Sequence, residues 1–175
     1  RAGFAVTDER RHGSEPTMGT TQLWQLILWT LLYPGAIYVK IEGININKKR
    51  GITVAWYLIA RRHRSIKDAA FKIAKSFDKK FLFAFIFTSI LGDGSVQFIH
   101  HDYNEEPTII IAAVKSLNKW KTILNKLGIK WYEDKIYVGF FSSSAITVAK
   151  MIISVLPQML KDLLDALNIK KWETL

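Results

Sequence analysis

Residues 81–98, FLFAFIFTSILGDGSVQF, decide how this chain is read: an apolar helix runs from Phe81 to Leu91 and stops on Gly92, Asp93 and Gly94. A helix that is apolar on every face must be enclosed on all sides. Ala84, Thr88 and Gly92 are spaced four apart and line one stripe with small side chains, so a second helix is expected to approach closely there. Asp93 falls at the negative end of the helix dipole, where a carboxylate is disfavoured by about 0.3–1 kcal/mol, and Gly94 stands where a left-handed turn would want glycine. A cation beside Asp93 would remove that penalty. Local rules broken together in this way tend to mark functional sites.

Working outward, Asp78 is the expected N-cap of this helix. Upstream, the spacing predicts a helix over Leu23–Tyr33 stopped by Pro34-Gly35, two β-branched and aromatic strands (36–46 and 51–60) joined by the polar turn NKKRG, and a helix over 65–77 with Ser65 as N-cap. Downstream come strand-like runs at 95–101 and 108–114 around the acidic loop 102–107, and an amphipathic helix over Ser116–Leu127 closed by Gly128. A short hairpin (129–141) and a helical C-terminal stretch broken at Pro157 follow. From Phe81 onward the order is αββαββα, an α+β arrangement, with an extra αββα unit in front of it. Residues 1–20 mix charges, glycine and proline without an apolar period and read as a flexible or appended arm, Met18 being a candidate natural start. The expected boundaries are therefore an arm at 1–20, a basic N-terminal unit at 21–78 and a core at 79–175.

The 175 residues carry no cysteine, so disulfides and thiolate metal sites are excluded and any metal must be held by oxygen or imidazole. The longest apolar stretch, residues 23–39, is broken by Gln25, Pro34 and Gly35, short of the roughly 20 uninterrupted residues of a membrane span, so a soluble, cytoplasmic chain with no membrane partner is expected. A net charge of +10 calls for an anionic partner. Up to Lys80 there are 15 Lys and Arg against 6 Asp and Glu, and beyond it 10 against 9, so the excess lies in 46–51, 60–64 and 72–80. Nucleic acid is the commonest polyanion to match such a distribution.

Residues 86–94, IFTSILGDG, resemble the signature helix of the LAGLIDADG homing endonucleases. Thr88 and Gly92 fall at the signature's third and seventh positions, Asp93 and Gly94 at its second acid and terminal glycine, and Leu91 replaces its first acid. One motif per chain implies a homodimer in that family, with Ala84, Thr88 and Gly92 at the two-fold interface; residues 28–36, LWTLLYPGA, have a similar shape but no carboxylate. On this basis the leading αββα unit is an embellishment or a degenerate remnant.

The resemblance implies hydrolysis of one phosphodiester per strand of a long, roughly two-fold symmetric duplex target, with Mg²⁺ held by Asp93 and the Gly92 carbonyl. It implies Lys161, in LPQMLK, as a catalytic residue ordering water, with Ca²⁺ supporting binding without cleavage. Period-two alternation puts Ser95, Gln97, Ile99 and His101 on the polar face of their strand as base readers. Lys130, Tyr132, Lys135 and Tyr137 are the candidates of the second hairpin, Lys115 is a weaker one, and Lys48, Lys49 and Arg50 are phosphate contacts of the first. His100 and His101 point to opposite faces and do not read as a metal pair. The alternatives are an inactive DNA- or RNA-binding protein on the same scaffold, such as an intron splicing factor or a repressor, and a membrane-surface protein anchored by its basic hairpin.

Overall fold

The computed structural model describes residues 1–35, 37–48, 51–101 and 104–175. The chain divides into two compact units, one of residues 8–68 and one of residues 1–7 with 69–175.

In the second of these units the apolar helix α4 (Lys79–Leu91) is the centre. Asp78 caps it as its sequence demands, accepting from the Phe81 amide at 2.9 Å. Leu82, Phe83, Phe85, Ile86, Phe87, Ile90 and Leu91 are all buried, so most of its circumference is covered. Strands β5 (Gly94–His101), β6 (Asn104–Ala112), β7 (Tyr132–Glu133) and β8 (Tyr137–Phe141) form an antiparallel sheet in the order β5-β6-β8-β7. The inner face of that sheet carries Ile109, Ile111, Val138 and Phe140, all buried. Helix α5 (Leu117–Asn125) buries Trp120, Ile123 and Leu124 from one amphipathic face, and Gly128, at φ +68°, takes the left-handed turn that follows it. Helices α6 (Ser142–Val155) and α7 (Gln158–Ala166) meet at a 112° bend at Pro157, and α8 (Lys170–Glu173) ends the chain.

The small stripe of α4 receives a helix, but one from the same chain. Residues 2–7 are helix α1 (Ala2–Thr7), and Phe4 and Ala5 are fully buried in this unit. A β-carbon on Gly3 would lie 2.1 Å from both the Phe85 carbonyl oxygen and Thr88 Oγ1, so only glycine allows the contact. Ser89 Oγ donates to the Gly3 carbonyl at 3.2 Å across it. Thr88 therefore meets α1, and the expectation that Ala84, Thr88 and Gly92 form an interface between two chains loses its basis. The expectation of an arm over 1–20 is likewise corrected: six residues are too few to show a helical period, and the charges behind them hide two strands.

Those strands, β1 (Arg10–His12) and β2 (Glu15–Thr20), join β3 (Ile37–Asn47) and β4 (Gly51–Ala60) in the 8–68 unit, in the antiparallel order β1-β2-β4-β3. Glu9 is fully buried there because its carboxylate accepts from the hydroxyls of Tyr33 and Ser65. Ser65 Oγ donates to Glu9 and accepts from the Lys67 amide at 3.3 Å, yet no helix begins there, and the expected helix over 65–77 shrinks to α3 (Ala70–Lys75), in the other unit. Helix α2 (Leu23–Leu32) lies where its sequence places it, with Trp29 and Tyr33 buried and their rings 4.3 Å apart. A β-bulge between Ile41 and Gly43 keeps Val39, Ile41, Ile44 and Ile46 opposite Leu58, Trp56, Val54 and Ile52, so one face of the long β3–β4 hairpin stays apolar along its length.

Element order and strand order thus repeat. The segment α1-β1-β2-α2-β3-β4-α3 has the pattern of α4-β5-β6-α5-β7-β8-α6, and the two sheets share one topology. The leading segment is a full αββαββα repeat beginning at residue 2, not an αββα addition beginning at 21. Among the described residues no single helix is long and apolar enough to cross a membrane.

Replacing Gly3 with leucine would drive a side chain into the Phe85 carbonyl and Thr88. Urea denaturation should show a loss of stability of at least about 1–3 kcal/mol, the usual penalty of overpacking. An unchanged midpoint would mean that α1 does not lie against α4.

Candidate nucleic-acid interface and catalytic end of helix α4

Helix α4 stops because Gly92, with its amide donating to the Thr88 carbonyl at 3.2 Å, leaves helical geometry at ψ −107°. Gly94 does not adopt the left-handed conformation expected of it. Glycine is needed there for space instead: a β-carbon would come within 2.5 Å of Ile90 Cα and 2.8 Å of the Ile90 carbonyl oxygen. The turn folds that tightly because β5 starts at Gly94, opposite Ile111, while the Asp93 carbonyl accepts from the Ala112 amide at 3.2 Å. Asp93 is left exposed between a buried helix and a sheet edge.

The cation that the helix end calls for is present in the chain. Lys171, on α8, donates to the carbonyls of Ile90, Leu91 and Gly92 at 3.0, 3.0 and 2.6 Å. An ammonium is favoured at this end of a helix, where the last carbonyls lack amide partners. The Gly92 carbonyl, expected as a metal ligand, accepts from Lys171, and the lysine that reaches the end of α4 is Lys171. Lys161 lies half-buried on α7, and among the described residues no hydrogen bond or ion pair joins it to the end of α4. Lys171 escaped notice in the sequence because KKWETL reads as a solvated terminus.

The outer face of the β5-β6-β8-β7 sheet collects most of the expected base readers. Register places Ser95, Ile110, Gly139 and Tyr132 in one row across four strands, with Gln97, Thr108 and Phe141 in the next. Ile99 and Tyr137 share that face. The Tyr132 ring packs edge-on against Phe141, with centroids 5.2 Å apart, and the Lys130 ammonium lies 5.1 Å from the Tyr132 ring centre. Hydrogen bonding to Tyr132, with the charge of that hydroxyl, holds the Lys130 pKa above its ordinary value. Lys115 and Lys135 are exposed in turns beside the sheet rather than on its face. His101 ends β5 opposite Asn104, its side chain lying outside what is described; Lys48 is exposed in its turn, and Lys49 and Arg50 lie outside the described residues. His100 pairs with Glu105 at 3.0 Å, and no cluster of three or more metal-ligating side chains occurs among the described residues.

In the 8–68 unit a comparable face went unread. Opposite the apolar side of the β3–β4 hairpin stand Tyr38, Lys40, Asn45, Thr53 and Tyr57, with the Lys40 ammonium 5.1 Å from the Tyr57 ring centre and the Arg61 guanidinium 5.8 Å from that of Tyr38. Asp8 was missed as well. It follows α1 directly, as Asp93 follows α4 and its cap, and counting back five residues from each acid gives Gly3 and Thr88, the pair in contact. Gln25 Nε2 reaches the Asp8 carboxylate at 3.5 Å, and the Thr20 hydroxyl donates to Gln25 Oε1. The signal was available in AGFAVTDE, a small-residue helix ending on an acid, had six residues sufficed to recognise a helix.

No protein-family model matches the chain, and no curated protein matches it in sequence. Among solved structures the chain is similar to the homing endonuclease I-WcaI bound to its DNA recognition sequence, at 7% identity and a TM-score of 0.52, over 89% of this chain and 77% of that one. The fold is accordingly α+β and homing-endonuclease-like.

Tyr132→Phe removes the hydroxyl that raises Lys130. The ammonium should then titrate at lower pH than in the wild type when followed by ¹³Cε NMR. The sign for stability follows: a raised lysine pKa contributes in full below the unfolded value and is lost as pH climbs through the folded one, so any advantage of the wild type over Tyr132→Phe should be present at neutral pH and fade as the alkaline range is crossed.

Proposed function

We propose that this chain is a site-specific double-strand DNA endonuclease that supplies both halves of its own machinery and works as a monomer. The observation that carries the reading is the duplication: each repeat begins with a helix ending on an acid, Asp8 or Asp93, and follows it with an antiparallel sheet bearing an aromatic, basic and amide-rich face. The neighbouring fold belongs to a homing endonuclease bound to its recognition sequence, and the charge of +10 suits a polyanion. Two strands require two hydrolytic events, and two repeats provide one acid for each.

On this reading the sheet faces lie along the major groove. Gln97 offers the donor and acceptor pair that matches adenine, while Ser95, Ile99, His101, Tyr132 and Tyr137 complete the reading row and Lys130 neutralises phosphate. Lys115, Lys135, Lys48, Lys49 and Arg50 bind the backbone, an assignment that raises affinity without specifying sequence. Magnesium prefers oxygen ligands, keeps several waters and asks only one or two carboxylates of a protein alongside substrate phosphates, so the exposed Asp93 fits it and the Gly92 carbonyl is not required. Bound there, the ion would activate water and stabilise the departing oxygen. The chain's own contribution is to fix where that happens: the tight turn at Gly94 holds Asp93 at the root of β5, two residues before Ser95, the first base-reading position.

The test pairs a gel shift with a strand-cleavage assay on targets selected from a randomised duplex library. Asp93→Asn should keep DNA binding and lose cleavage of at least one strand by about a hundredfold or more, the loss of several kcal/mol of transition-state stabilisation. Asp8→Asn should behave alike, and sedimentation should give a monomer. Undiminished cutting by both variants overturns the reading, and wild-type binding without cutting in Mg²⁺ makes the chain a DNA-binding protein that has lost catalysis.

A further inference from the structure

The three carbonyls at the end of α4 are served by one ammonium. Lys171 Nζ lies 3.0 Å from the Ile90 oxygen, 3.0 Å from that of Leu91 and 2.6 Å from that of Gly92, so one ammonium donates to all three. The lysine is held in place by its own helix: the Trp172 ring packs against Phe87 with centroids 5.7 Å apart, and Trp172 Nε1 donates to Asp165 Oδ1 at 2.6 Å. Asp93 follows Gly92 directly. The cation that compensates this helix end is therefore covalent to the chain and is bonded to the carbonyl nearest the acid.

We propose that Lys171 is the resident counter-ion of the α4 end, bonded to the Gly92 carbonyl in place of a divalent metal, so that the DNA-free protein binds divalent metal at Asp93 only weakly. A divalent cation held by Asp93, the residue that follows Gly92, meets the repulsion of the ammonium already bonded to the Gly92 carbonyl. Lys171 is thus a positioning residue that sets metal affinity. The inference rests on the reading of Asp93 as a metal ligand given above.

The experiment is a Mn²⁺ titration of DNA-free protein, followed by the electron paramagnetic resonance of the free ion. Wild type, Lys171→Met, Lys171→Arg, Lys170→Met and the double variant Lys171→Met with Asp93→Asn are compared. Lys171→Met should bind Mn²⁺ about tenfold or more tightly than wild type. Lys171→Arg should stay at the wild-type level, and so should Lys170→Met, which removes an equal charge from an exposed neighbour. The double variant should lose the gain. A role confined to helix capping would lower stability without moving metal affinity, so equal affinities for wild type and Lys171→Met overturn the inference alone. Tight binding that survives Asp93→Asn, or no binding by any variant, overturns the reading of Asp93 along with it. Should Lys171→Met fail to fold, the Gly92 carbonyl ¹³C resonance of the wild type decides: it should hold still through micromolar Ca²⁺, and a shift there refutes the proposal.

Discussion

The contact on which the rest of the structure depends is the approach of α1 to α4 at Gly3. A helix apolar all round cannot stand against water on any side, and α4 lacks the polar stripe that would let it try. Its Phe85–Ser89 face is closed by a six-residue helix too short to persist alone, which gains its stability by pressing backbone against backbone where Gly3 has no side chain. The Ser89 hydroxyl, buried in that contact, is satisfied by the carbonyls of Gly3 and Phe85. Helix α1 opens one repeat and α4 the other, and it is the shared element order and strand order that show a single chain contains two copies of one pattern.

The end of α4 shows the same economy of charge. A helix terminus leaves carbonyls without amide partners, and the chain answers with lysines: Lys171 at α4, and Lys126, which donates to the carbonyls of Lys75, the last residue of α3, and Phe77, two residues on. In both cases a basic side chain from a distant part of the sequence serves a backbone need. Asp93 consequently sits exposed next to a helix end whose charge is already balanced, and the Gly94 turn holds it against the sheet edge by steric necessity.

The sheets divide labour between their faces through the period of two. In the β5–β8 sheet the inner residues Ile109, Ile111, Val138 and Phe140 are buried, which obliges Ser95, Gln97 and Tyr132 to face outward. In the β3–β4 hairpin the bulge at Ile41/Gly43 keeps Ile44 and Ile46 in phase with Ile41 and off the face that carries Lys40 and Tyr57, though here the apolar face is itself largely exposed. The polar and aromatic sheet faces are thus a by-product of keeping apolar side chains in phase.

Local chemistry determined much of this from the sequence alone. The periods of α2, α4 and α5, the Asp78 cap of α4, the β-branched runs of β3, β4, β5 and β6, and the helix break at Pro157 each depend on residues within a few positions of one another. The face assignment of Ser95, Gln97, Ile99, Tyr132 and Tyr137 needs only alternation, and the apolar helix ending on Asp93 was legible at once. Tertiary structure decided what depends on residues far apart in the chain. That α1 is a helix, that Glu9 can be buried, that Ser65 donates to Glu9, that Thr88 meets Gly3 and that Lys171 rather than Lys161 reaches the end of α4 all follow from contacts spanning from 24 to 86 residues. No window of sequence contains both partners of such a contact, so only the folded chain, where burial makes each polar group find a partner, could reveal them.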